Sequence, residues 1–273
     1  MGRWIGWFLA GGVVAGCFTA AARAGDCPAQ LRMAYNSSWL PYIEVTDEEI
    51  RGSDVQLIRH TLAQAGSTLQ LRYVPESRAI QMLRQGDIDV LFAASYTKER
   101  AAYAWFSQPY RQEQNAVLVH RQTLQLYPEI KERAYFLMLA ARRLVGTYNP
   151  SGFYGEDFEA IKQQQPVKNR SLAVFEADRR WELVVNRRAD YTIVDRDAAV
   201  SALGNHPAAA SLLLLPFSLN SAPVHLMLSK QTISAACVAL IDQQLPTNRI
   251  TAHAKNFPAI HRSIWEFAQT NTR

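Results

Sequence analysis

The chain has 273 residues, a formal net charge of +5 and 48% hydrophobic residues. That composition suits a packed core and excludes a disordered or fibrous chain. Residues 1–3 end in a basic residue, residues 4–22 carry no charge, and Ala22-Arg23-Ala24 fits a small-residue cleavage site. This is the layout of a secretory signal peptide, with Gly25 the first mature residue. A second reading takes Val14-Ala15-Gly16-Cys17 as a lipobox, which would place a lipid on Cys17. Loss of residues 1–24 removes Arg3 and Arg23 and leaves about 249 residues with a net charge of +3. A surplus so small and scattered argues against nucleic acid as a partner. Cys27 and Cys237 are then the only cysteines. In an oxidising compartment they are expected to pair, the alternative being two buried thiols.

Strands and helices alternate along the first half. Residues 31–34 read as a short strand, followed by a loop holding Trp39 and Pro41. Ser53 and Gln56 have capping-box spacing, and Val55, Ile58 and Leu62 recur at helical spacing up to Gly66. Leu69, Leu71 and Tyr73 alternate as in a strand. A helix over 77–85 ends at Gly86, and residues 88–93 read as a buried strand. Further on, strands are expected at 144–148, 172–175, 191–194 and 225–229. Helices are expected at about 154–162, 179–186 and 233–245, and residues 149–152 form a turn. This order predicts α/β architecture with mostly parallel sheets. No Gly/Ser-rich linker separates the halves, so two lobes joined by strand-like crossings are expected.

Ligands of open α/β sheets sit at the carboxyl ends of strands. The residues following the predicted strands include Asn36, Ser38, Trp39, Ser95, Thr97, Arg100, Ser151, Gly152 and Asp195. One arginine, one carboxylate, small hydroxyls, a glycine and an aromatic ring suit a zwitterion. Arginine offers a fork for a carboxylate, and tryptophan offers a wall or a cation–π face. Each has a plainer alternative. Arg100 could pair with Glu99 on the surface, Asp195 could cap the helix starting near Asp197, and Trp39 could be core. Tyr42 reads as packing. The six histidines lack paired metal spacing, and no cofactor motif or nucleophile elbow occurs.

Gly52-Ser-Asp-Val-Gln-Leu-Ile58, Gly86-Asp-Ile-Asp-Val90, Thr97-Lys-Glu-Arg100 and Phe106-Ser-Gln-Pro-Tyr110 follow one another at close spacing. Together they resemble the family 3 bacterial extracellular solute-binding proteins, the polar amino acid receptors of ABC importers. The resemblance implies a two-lobed periplasmic-binding-protein-like fold of type II, hinged on two crossing strands. Lobe 1 would comprise 25–118 and 224–273, and lobe 2 would comprise 119–223. It implies a monomeric periplasmic protein that hands an amino acid to an inner-membrane permease; the alternatives are a ligand-sensing partner of a membrane receptor, which would use the same closed clamp, and a dehydratase-like enzyme on the same scaffold. By the same resemblance Arg100 grips the α-carboxylate with help from Ser95, and Asp195 takes the α-ammonium. Trp39 stacks on the ligand, and Ser151 and Gly152 offer backbone N–H groups. Arg78 adds a second cationic contact or lies solvated on its helix. Asn36 stands where many such binders carry an acid, which argues against a lysine or arginine ligand. The segment 122–141 looks longer than typical. Some relatives are dehydratases, and for that chemistry Glu76 is the available acid or base.

Overall fold

The structure is a computed structural model that describes residues 27–204 and 206–246. The candidate signal peptide, the lipobox at Cys17 and the C-terminal tail lie outside the described residues.

The chain opens with strand β1 (Gln30–Tyr35) and a small hairpin, β2 (Glu44–Val45) and β3 (Ile50–Arg51). Helix α1 (Ser53–Gln64), strand β4 (Thr68–Tyr73), helix α2 (Glu76–Gln85) and strand β5 (Val90–Ala94) follow. A single turn, α3 (Lys98–Ala101), leads to β6 (Ala104–Phe106) and the long β7 (Arg111–His120). The segment after it folds as α4 (Arg121–Leu126), a 3-10 turn at Pro128–Lys131 and α5 (Arg133–Arg142). Next come β8 (Gly146–Tyr148), α6 (Glu156–Lys162), α7 (Gln165–Arg170), β9 (Leu172–Ala173), α8 (Ala177–Val185) and β10 (Tyr191–Asp195). Helix α9 (Arg196–Leu203), the 18-residue strand β11 (Leu212–Ser229) and α10 (Ala235–Gln244) complete the described chain.

The strands run in the order β4-β1-β5-β11-β7-β10-β8-β9, with β6 also on β11. β1 is parallel to β4 and β5, and β8 is parallel to β9 and β10. Between these two parallel sets stand β7 and β11, antiparallel to each other. β11 pairs with β5 and β6 over His225–Ser229 and with β7 from Val224 back to Leu212. β7 pairs with β10 only from Asn115 onward. The chain therefore passes between two lobes along two strands and nowhere else among the described residues.

Each lobe has its own apolar core. In the first, Leu31, Met33, Ile58 and Leu62 pack against Leu226 and Leu228 of β11 and Ile241 of α10. In the second, Val117, Val119, Phe136, Phe158 and Tyr191 pack together. Cys27 and Cys237 form a disulfide with Cα atoms 4.8 Å apart, pinning the segment leading into β1 to α10.

One local expectation is corrected. Ser53 is not a capping residue: Gly52 is the N-cap of α1 and no side chain caps it. Gly52 adopts φ 129°, and a Cβ there would lie 2.3 Å from the Tyr42 carbonyl oxygen. Only glycine fits a backbone so placed.

Candidate functional site

The cleft between the lobes is a cavity of about 620 Å³. Trp39, Ser95, Arg100, Ser151, Gly152 and Asp195 all line it. Arg78 does not. It projects from the exposed face of α2, and its neighbours Glu76, Ala79 and Ile80 are the helix residues that reach the cleft. The solvated alternative therefore describes Arg78.

Arg100 is positioned by the turn that carries it. Thr97 Oγ1 caps α3 by accepting from the Arg100 N–H at 3.2 Å. Arg100 Nη1 donates to the Ser95 carbonyl at 2.8 Å, and Nη2 donates to the Ser151 carbonyl of the other lobe at 2.6 Å. A guanidinium has five N–H donors, so the fork is only partly engaged. Glu99 pairs instead with Arg84, and Arg100 makes no ion pair among the described residues. Burial lowers its pKa, the sign of a cation short of water.

The opposing loop is built around Asn149. Its Oδ1 accepts from the Ser151 N–H at 2.9 Å, and its carbonyl accepts from the Gly152 N–H at 3.0 Å, so both N–H groups expected to face a ligand are taken up within the loop itself. Gly152 sits against the Tyr154 ring, where a Cβ would lie 2.3 Å from the hydroxyl oxygen. No larger residue could occupy that position without moving Tyr154.

Asp195 ends β10 and caps α9, accepting at Oδ1 from the Ala198 N–H at 2.8 Å. The same oxygen accepts from the Tyr42 hydroxyl of the first lobe at 2.9 Å. Its Oδ2 lies 3.8 Å from Arg111 Nη1. Arg111 is buried at the start of β7, 3.2 Å from Asp54 Oδ2 and 3.8 Å above the Tyr42 ring. Tyr110 donates to the same Asp54 oxygen at 2.8 Å. Trp39 belongs to this group too, its ring 4.9 Å from that of Tyr42 and 5.3 Å from the Arg111 guanidinium. Trp39 is thus both packing and cleft wall. Tyr42, expected as packing, is also a tie between lobes.

A third tie runs through Glu76. One of its oxygens accepts from Asn36 at 3.0 Å and the other from Asn149 across the cleft. Burial holds this carboxyl above its usual pKa, with Arg180 and the two amides opposing. Asn36 itself carries no charge, but Glu76 places a carboxylate beside it. The argument against a basic ligand therefore loses its physical basis. The sequence reading also passed over Glu113 and Asn115, both in the cavity wall on β7.

The sequence profile of the bacterial extracellular solute-binding proteins, family 3, matches residues 31–198. The chain belongs to this family. The family fold is equally plain in solved structures. The arginine-bound form of a truncated ArgBP from T. maritima aligns at 17% identity over 80% of this chain and 95% of that one, with a TM-score of 0.64. An ABC uptake transporter substrate-binding protein from Streptococcus pneumoniae with bound histidine aligns at 16% identity over 79% and 85%, with a TM-score of 0.65. The ancestral amino acid-binding protein AncCDT-1, a precursor of cyclohexadienyl dehydratase, aligns at 16% over 88% and 94%, with a TM-score of 0.63. At these identities the likeness is one of fold. A search of curated proteins found no match. As a member of this family the chain is an extracytoplasmic solute-binding protein.

Proposed function

We propose that this protein captures an amino acid, or a closely related small carboxylate, by hinge closure and delivers it to an inner-membrane ABC permease. The observation that carries the reading is Arg100. It is a half-buried guanidinium between the lobes, without a carboxylate partner among the described residues. A ligand carboxylate would supply that partner, and a charge-assisted pair in such a site is among the stronger polar contacts available. Ser95, Ser151 and Gly152 adjoin Arg100, and Trp39 forms the wall. The arginine and histidine bound by the structural neighbours support an amino acid as the class.

In this reading lobe 1 comprises the chain up to the crossing on β7 and from Val224 onward, and lobe 2 the stretch between, close to the expected divisions at 118 and 224. The protein acts as a monomer in the periplasm after removal of residues 1–24. It performs no turnover. Glu76 has both oxygens committed to amides, so it reads as a bridge rather than a free acid or base. The test is a thermal-shift screen of the mature protein against the twenty L-amino acids, followed by recovery of any bound compound. A stabilised, unaltered amino acid supports the proposal. No shift with any of them refutes the amino acid class, and a chemically altered product refutes the absence of turnover.

A further inference from the structure

We propose that Glu113 and Asn115, on the crossing strand β7, form the polar wall of the ligand seat, with Glu113 rather than Asp195 accepting the ligand's ammonium group. This deepens the amino acid reading above and rests on it. Five carboxylates line the cleft: Glu76, Glu113, Asp178, Glu182 and Asp195. Asp195 is already engaged by the Tyr42 hydroxyl, the Ala198 N–H and Arg111. Glu76 holds two amides. Asp178 and Glu182 are exposed on α8, where water satisfies them. Glu113 alone is half-buried with a side chain that makes no hydrogen bond or ion pair among the described residues.

Alternate residues of a strand share a face, so Arg111, Glu113 and Asn115 project together. Asn115 is 4% exposed, lines the cavity, and its side-chain N–H₂ has no hydrogen-bond partner. An unpartnered buried donor is costly unless something completes it. A free acceptor and a free donor thus stand side by side facing the cavity that Arg100 also faces. The surrounding charge favours a cation there. Glu113 faces Arg111 on its own strand, Asp54 from α1, Arg100 from α3 and Asp195 from β10, with Tyr154 nearby. Around Arg111 the carboxylates outnumber the cation, and an incoming ammonium would correct the imbalance.

Burial, Asp195 and Asp54 push the Glu113 carboxyl up to about 7, against the pull of Arg111 and Arg100. Near neutrality the unliganded protein therefore holds a fractional proton that an ammonium would expel. If the complex titrates well below pH 6, affinity should fall about tenfold between pH 8 and pH 6.

The test uses the L-amino acid, among the twenty, that gives the largest thermal shift, and its desamino analogue. Calorimetry of the mature protein in two buffers of different ionisation enthalpy reads proton release. Wild type should release protons at pH 7 and lose about tenfold in affinity between pH 8 and pH 6. Glu113→Gln should bind at least tenfold more weakly, release no protons and show no such slope, with an unchanged unfolding midpoint. Asp195→Asn, which loosens the tie to Tyr42, should keep the slope. The desamino analogue should bind wild type weakly and gain nothing from Glu113. If Glu113→Gln binds within threefold of wild type and still releases protons, this inference fails while the amino acid reading stands. If none of the twenty binds, both fail.

Discussion

Replacing Arg111 by methionine tests the charge cluster beneath the cleft. Methionine keeps much of the length and apolar contact with the Tyr42 and Trp39 rings but removes the charge. In the native protein Arg111 and Asp54 are each 4% exposed at the side chain and stand 3.2 Å apart, with Asp195 at 3.8 Å. Breaking a buried pair by removing one partner costs about 3–5 kcal/mol, because the remaining charge is left uncompensated. In a domain of this size 1 kcal/mol moves the unfolding midpoint by about 2–4 °C, so a drop of roughly 6–20 °C is expected at pH 8. The loss should depend on pH in a definite sense. Burial raises the Asp54 and Glu113 carboxyls and Arg111 pulls both down, so the variant holds them higher still. A carboxyl with a raised folded pKa favours the fold at low pH and ceases to do so as pH rises through that value. The deficit should therefore shrink as pH falls from 8 to 5. Thermal unfolding of both proteins by circular dichroism across that range measures it. A deficit below about 1 kcal/mol at pH 8, or one that does not change with pH, would refute the reasoning.

Arg100→Ala should weaken amino acid binding by about 10²–10³-fold, as expected for a lost buried charge pair. Arg100→Lys should recover only part of it because the fork is gone; calorimetry showing either variant within threefold of wild type would remove Arg100 from the seat. Tyr42→Phe deletes the interlobe donor to Asp195, worth about 1–3 kcal/mol when a buried acceptor is left short. The unliganded protein should then show a larger radius of gyration by small-angle scattering, and an unchanged radius would exclude the tie as a closing contact. The double variant Cys27→Ala, Cys237→Ala should lose about 2–5 kcal/mol in urea unfolding. Because both cysteines sit in one lobe, its ligand affinity should stay within twofold of wild type, and a larger change would show that the link governs the cleft.

Much of the fold is legible because the parallel strands are short and apolar and end at polar residues. That rule points to Trp39, Ser95, Arg100, Ser151, Gly152 and Asp195, and all six line the cleft. The crossing strands were harder. β11 runs for 18 residues through Pro216 and Pro223, and proline argues against a strand interior, so only its last residues read as strand. At β7 the stretch Arg111 to Asn115 is polar on both faces and shows no apolar alternation that would mark a strand. Its one clue is that Arg111, Glu113 and Asn115 share a face leading into the apolar run from Ala116. Ser53 mimicked a cap because spacing cannot report that Gly52 already occupies the capping position with a backbone only glycine tolerates. Arg78 misled for a similar reason: which side of α2 meets the cleft depends on the packing of Ala79 and Leu83, both buried.

The path of β11 also sets an order of assembly. The second lobe is drawn from one unbroken stretch, so all its parts are present once β11 has begun. The first lobe is not. Leu31, Met33 and Ile58 find their partners Leu226, Leu228 and Ile241 only when the last described helix arrives. A chain emerging N-terminus first therefore carries β1, β4 and β5 with one apolar flank open until β11 and α10 are out. Contacts of such long sequence separation form slowly and leave sticky surface exposed meanwhile. The lobe that is written first is the one that must be finished last.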